Sequence, residues 1–361
     1  MQIDFHHGVT YVCARLAGFE HADASLIAHS AQYVDDSTQA GLIRFDNGAM
    51  FDRISSAHKM LDYRNFKELA NCKVWIPFHF LPGNGGLPAG QDPPGTFIEK
   101  LICRPNSPVA QAMVRECIEQ RYRSYGLHRL GITLHVFADT WAHQGFAGVS
   151  HEINSARDLV DGNNKPDQSL MNRLKGFFIG GALPLGHGTV LSNPDKPYLR
   201  WGYTNGRGEK ISRDNPRDYL EAADEMCKAM QRYRAGDPQA CVPGLPEADR
   251  ARIAALFETT YGEGVSRHQQ WLAHIAQGSF SFGPAEVSYI AHGYGSWKHR
   301  ALGVAGEGDG QRPALGHRKE TRIAYTPQFL TSHWKRFHDA LRAHHFYVIH
   351  DLLPQYGICV A

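Results

Sequence analysis

Residues 134–146 read LHVFADTWAHQGF, and they constrain the fold more than any other stretch. His135, Asp139 and His143 recur every fourth residue, so on an α-helix all three side chains leave one face. Leu134, Val136, Phe137, Ala138, Trp141 and Ala142 make the same helix apolar on several sides, which turns its polar stripe toward an interior cleft. Imidazole and carboxylate one turn apart on one face are what a hydrolytic metal ion needs. His128, seven residues before His135, falls near the same stripe.

The flanking sequence predicts further helices joined by long loops. Asp23 caps a helix through ASLIAHSAQYVDD, with His29 inside it and Asp35–Asp36 at its end. WIPFHF at 75–80, broken by Pro77, predicts an extended or irregular buried segment, and the Gly/Pro-dense residues 81–107 predict loop. Ser107–Pro108 starts a helix running to about 126; the stripe helix follows over roughly 127–144 and stops at Gly145. Residues 145–215 are loop-rich. Asn215–Pro216 opens another helix, 246–261 a further one, and Pro327 to about Leu353 a long aromatic-rich one, with a Gly-rich, mobile stretch expected at 303–316. The fold class expected is mostly α: a helical metal-dependent hydrolase-like bundle with long Gly/Pro-rich loops. It forms one catalytic unit over 1–361, with the ligand core in 1–200 and a helical elaboration over 215–361.

Composition narrows the function classes. With 42% hydrophobic and 20% charged residues, the 361-residue chain has material for a sizeable core. A net charge of +2 gives no bulk signal for nucleic acid. Nine Lys/Arg against four acidic residues in 298–345 form either a solvated helix face or a basic wall that attracts phosphate. No run of about 18 apolar residues predicts a membrane span. The start, MQIDFHHGVTYVC, lacks the basic-then-apolar pattern of a secretory signal, so a cytoplasmic location is expected. Seven scattered cysteines without a CxxC predict reduced thiols.

Histidine stands out, with 21 copies. Asp4, His6 and His7 crowd the N-terminus; neighbouring side chains diverge, so at most one of His6 and His7 reaches a given metal. His29 and Asp36 share a helix face, while Asp35 is an equal choice if a carboxylate acts alone. His79 lies in an apolar run and must be satisfied by backbone or by a metal. His187, between glycines, and Asp195 occupy the loop PLGHGTVLSNPD. HExxH fails at Ser155, and the serine-hydrolase elbow, P-loop and dinucleotide fingerprints are absent from the sequence.

In this order the residues resemble the zinc-dependent phospholipase C and single-strand nuclease superfamily, whose all-helical fold clusters three zinc ions. The resemblance covers the first ~200 residues. It implies His6 or His7 as the early histidine, Asp35 or Asp36 as the next carboxylate, and then His79. His135 and Asp139 match the HxxxD pair, and His143, His187 and Asp195 complete the set. The last pair departs from the family spacing, being eight residues apart. The chain also resembles uncharacterised bacterial proteins that share IDFHxGVxYVxARLAGF-type and HVFADTWAHQGF-type segments, which implies no activity.

The expected function is therefore hydrolysis of phosphate esters by two or three zinc ions, with Asp139 and His143 in catalytic roles and Gln144 or Trp141 orienting the ligands. The substrate would be a phosphate-containing small molecule or lipid. A two-iron His/Asp enzyme and a non-catalytic protein with a structural metal are the alternatives.

Overall fold

The computed structural model describes residues 1–58, 68–163, 165, 185–304 and 323–360. It is mostly α. After a π-helical turn, Asp4–Val9, come α1 (Thr10–Leu16), α2 (His21–Asp36), α3 (Glu68–Phe78), α4 (Ile98–Leu101), α5 (Pro108–Glu119) and α6 (Gly126–Ala142). The C-terminal half adds α7 (Asn215–Ala235), α8 (Glu247–Thr259), α9 (Gly264–Ala276), α10 (Trp297–Leu302) and α11 (His333–Phe346). Strands β1 (Gly41–Arg44) and β2 (Met50–Arg53) form a hairpin. Strands β3 (Ala156–Asp161), β4 (Arg200–Asn205) and β5 (Lys210–Asp214) form an antiparallel sheet in that order.

α6 is the central helix: from His128 to Ala142 every residue is buried. α2, α5, α7 and α11 pack around it. One apolar cluster runs from Met1 to Ile358, so the C-terminal helices share a core with the N-terminal ones. The ends of these helices follow local chemistry. Ser107 Oγ accepts from the Ala110 N–H with Pro108 in the first turn, Asp214 caps α7, and Gly236 closes it at φ +71°.

α2 and α6 meet at Gly131. A Cβ there would lie 2.4 Å from the Ile27 carbonyl oxygen and 2.5 Å from Ser30 Cβ. This contact draws the end of α2 toward the stripe. Gly131→Ala is expected to splay the two helices and cost about 1–3 kcal/mol, measured by urea unfolding; an unchanged midpoint would show that the contact is not tight.

Several sequence expectations need correction. α2 begins at His21, not after Asp23, and Glu20 at its N-cap makes no side-chain bond. WIPFHF is not extended: its first four residues end α3, with Pro77 in the last turn. Pro77 cannot donate to the Lys73 carbonyl, and its own carbonyl accepts from His344 Nε2 (3.0 Å). The C-terminal helix starts later than expected, and the π-helical stretch continues α11 without a break. Pro327–Thr331 is a 3-10 turn, Ser332 caps α11, and Tyr347–Leu352 is π-helical. The Gly-rich stretch from 305 onward, and the basic and acidic residues between 305 and 322, lie outside the described residues. Cys13, Cys103, Cys117, Cys227, Cys241 and Cys359 are free thiols. Among the described residues no helix is long and apolar enough to cross a membrane.

Candidate metal centre

Asp139, on α6, sits at the middle of a buried group of imidazoles and carboxylates. Its Oδ2 lies 3.4 Å from His79 Nδ1, 3.4 Å from His135 Nε2 and 3.7 Å from His143 Nδ1. Its Oδ1 lies 3.3 Å from His6 Nε2 and 2.5 Å from the Met1 α-amine. Asp35 Oδ1 approaches His79 and His135 at 3.9 and 3.8 Å. Asp195 lies 3.3 Å from the Met1 amine, 4.0 Å from His143 Nε2 and 3.8 Å from His187 Nε2. Three sets gather their donor atoms within 4.8 Å: His6, Asp35 and His135; His79, His135 and Asp139; His143, His187 and Asp195.

Each element delivers its donors for a local reason. His135 and Asp139 are one turn apart on α6, and His143 caps that helix through its N–H to the Asp139 carbonyl, 2.8 Å. Asp35 is in the last turn of α2, and His79 follows the end of α3. His6 comes from the π-helical turn, a distortion frequent at functional sites. Leu191 holds φ +52°, a strain of about 1–3 kcal/mol, and its carbonyl is the one that fixes His187. Arg213 donates to the Trp141 and Ala142 carbonyls (2.9 and 3.3 Å), placing a buried cation at the negative end of α6.

Four imidazoles have one nitrogen committed to a backbone carbonyl. His79 Nε2–H donates to Ser56 O (2.9 Å), and His135 Nδ1–H to Ala31 O (2.8 Å). His143 Nδ1–H donates to His79 O (2.7 Å), and His187 Nδ1–H to Leu191 O (2.7 Å). That fixes the tautomer and leaves the other nitrogen as a lone pair facing the carboxylates, the usual state of a metal-binding histidine. His6 is fully buried and neither ring nitrogen has a hydrogen-bond partner. An orphan imidazole inside a protein is costly, and a cation beside Asp35 and His135 would satisfy it. The residues therefore fit a set of divalent ions of the imidazole-binding kind.

The electrostatics agree. Burial acts to raise the Asp139 carboxyl, but His143, the Met1 amine, His135 and His6 outweigh it and hold it well below the ordinary range. Burial acts the same way on Asp195, and the amine, His187 and His143 hold it low. Burial holds His6 and His143 neutral, His143 down to about 3. Burial opposes the charge of the Met1 amine, yet Asp139 and Asp195 carry its pKa up to about 11. The cluster is most accessible at Asp35 (33% of the side chain) and His187 (20%), so solvent reaches it there.

Of the residues read from the sequence, His6, Asp35, His79, His135, Asp139, His143, His187 and Asp195 converge here. The others do not. His29 stacks on Trp297 with ring centroids 3.8 Å apart and belongs to none of the three sets. Asp36 points elsewhere, accepting from Tyr289 Oη (2.6 Å) and Gln32 Nε2 (3.1 Å). His7 pairs with His268 (2.8 Å) and His128 with His333 (3.1 Å). Asp4 is clamped by Arg267. Gln144 bonds the Trp141 carbonyl and Asp218, and Trp141 packs edge-on against Phe137. Sequence reasoning missed the Met1 amine, Arg213 and the four carbonyls, because nothing in local spacing marks them. A small, solvent-open cavity of about 40 Å³ adjoins the end of α2; Asp36, Arg53, His292, Lys298 and His338 help line it.

Residues 1–352 match the model of a family described as "Family of unknown function (DUF6765)", and the chain belongs to that family. No curated protein and no solved structure matches it.

Proposed function

We propose that this DUF6765 member is a metal-dependent hydrolase of phosphate esters that uses two or three zinc ions. The observation that carries the reading is the convergence of five histidines and three aspartates in three donor sets, two of which share His135, with His79, His135, His143 and His187 each oriented by a carbonyl. Ions held there would acidify water and polarise a phosphoryl oxygen. His79, His135 and His143 would supply lone pairs and Asp139 the central negative charge. The accessible edge at Asp35 and His187 favours a working site over a closed structural one. The pocket at Asp36, the residue after Asp35, is lined by Arg53 and Lys298, both buried cations, and so suits an anionic group.

The test is elemental analysis of the purified protein, with hydrolysis of bis(p-nitrophenyl) phosphate and p-nitrophenyl phosphate before stripping, after stripping and after adding zinc back. Zinc in the protein, with activity lost and restored, is expected. Protein that carries no metal, or hydrolysis indifferent to chelation, sinks the proposal; bound iron replaces zinc in it. Arg53→Gln should raise KM about tenfold with kcat little changed, as for a group that binds the ground state and transition state alike. An unchanged KM would remove Arg53 from substrate binding.

A further inference from the structure

We propose that Arg267 is a positioning residue for the centre, tying the chain segment that carries His6 to the turn that carries Asp195. Its side chain is 1% exposed and its guanidinium reaches four residues in three segments at once. Nε donates to Asp4 Oδ2 (2.6 Å), and Nη2 to Asp4 Oδ1, Gln2 Oε1 and the Asp195 carbonyl (3.1 Å each). Nη1 donates to the Gly262 carbonyl (2.6 Å).

Stability alone does not account for such an arrangement. Burying a guanidinium and a carboxylate costs desolvation that well-packed apolar side chains avoid. What the planar fork supplies is geometry: several acceptors held in fixed mutual positions. On one side those acceptors are Asp4, the first residue of the π-helical turn, and Gln2, whose carbonyl accepts the Phe5 and His6 N–H groups. On the other side is the backbone of Asp195. The 193–196 turn has its own supports: Asn215 Nδ2 bonds the Asn193 and Lys196 carbonyls (2.8 Å each), and Tyr219 Oη bonds the Pro194 carbonyl (3.0 Å). Arg267 is thus not needed to form the turn. Its distinct contribution is the link between the turn and residues 2–4, which sets His6 and the Met1 amine in register with the Asp195 carboxylate.

The inference rests on the metal reading of the centre, and the test separates the two. Arg267→Lys keeps the charge and loses the fork; Asp4→Asn keeps the shape and loses the partner charge. Each full-length variant, and the unaltered protein, is stripped, equilibrated with zinc and analysed for bound metal, and the stripped forms are followed by hydrogen exchange. Exchange is expected to rise about tenfold or more in peptides covering 1–9 and 191–197, with α6 still protected. Bound zinc should fall by about one ion per chain. If the unaltered protein takes up no zinc but the paired rise in exchange appears, the positioning role stands and the metal reading falls. If it takes up zinc and both variants match it in metal content and exchange, the positioning role is overturned. Exchange raised evenly in every helix, or failure of both variants to fold, also overturns it, because Arg267 is then an element of folding alone.

Discussion

Moving the metal-stripped protein from about pH 7.5 to about pH 5.5 is expected to unfold it. His6, His7, His128, His143, His268, His338 and His344 are all buried. Burial is the leading cause that lowers each of them from the ordinary 6.5. His128, His143 and His338 fall to about 3 and His268 to about 4, while His6, His7 and His344 lie well below 6.5. The unfolded chain takes up a proton at each near 6.5, whereas the folded chain refuses it until its own lower pKa. Below 6.5 the unfolded state therefore binds more protons, and stability falls with pH; above about 7 this penalty is absent. One unit below 6.5, each imidazole costs about 1.4 kcal/mol, and seven cost about 10 kcal/mol, against a total stability of about 5–15 kcal/mol for an ordinary domain. Asp4, Asp35, Glu116 and Asp218, raised by burial, work the other way, but they are four against seven. The Met1 amine, raised to about 11, loses its contribution only in alkali and plays no part in this window. Circular dichroism across the titration should show one steep transition with uptake of several protons. Native spectra retained at about pH 4.5 would contradict the argument.

The stripe on α6 was legible because its information is local: a four-residue repeat becomes a shared face by helix geometry alone. The mostly helical class followed from the same kind of signal, as did the α5 and α7 starts at Ser107–Pro108 and Asn215–Pro216. The pairing on α2 was harder. His29 and Asp36 do turn to a common side, since Tyr289 touches both: its ring lies 4.6 Å from that of His29 and its hydroxyl bonds Asp36. Periodicity says which residues share a face, not which face meets α6. That is decided by the close approach at Gly131, which delivers Asp35. Pro77 is a similar case. The local rule that proline breaks a helix gave way to a long-range support at that turn, His344, which is 267 residues from Pro77 and bonds its carbonyl. The Met1 amine and Arg267 left no local trace, since Asp139 is 138 residues from Met1 and Asp4 is 263 from Arg267.

On the proposed zinc reading, Asp139→Asn should empty the centre while leaving the fold standing at neutral pH. The carboxamide keeps the shape of the side chain but removes the charge that two oxygens share among the Met1 amine, His6, His79, His135 and His143. Every donor set either contains Asp139 or contains a histidine within 3.7 Å of it. A fall in zinc affinity of about 10³-fold, or about 4 kcal/mol, is expected for loss of this carboxylate. Without metal the amine would keep Asp195, at 3.3 Å, as its nearest counter-charge, and removing one partner of a buried pair costs about 3–5 kcal/mol. The stripped variant should therefore melt lower than the stripped parent. His29→Gln and Asp36→Asn are the informative controls, because both sites face Tyr289 and not the cluster. They should keep the parent's metal content. Should Asp139→Asn keep its zinc while His29→Gln loses it, the ions are held around Trp297 and Tyr289, and the centre described on α6 is only a network of buried histidines.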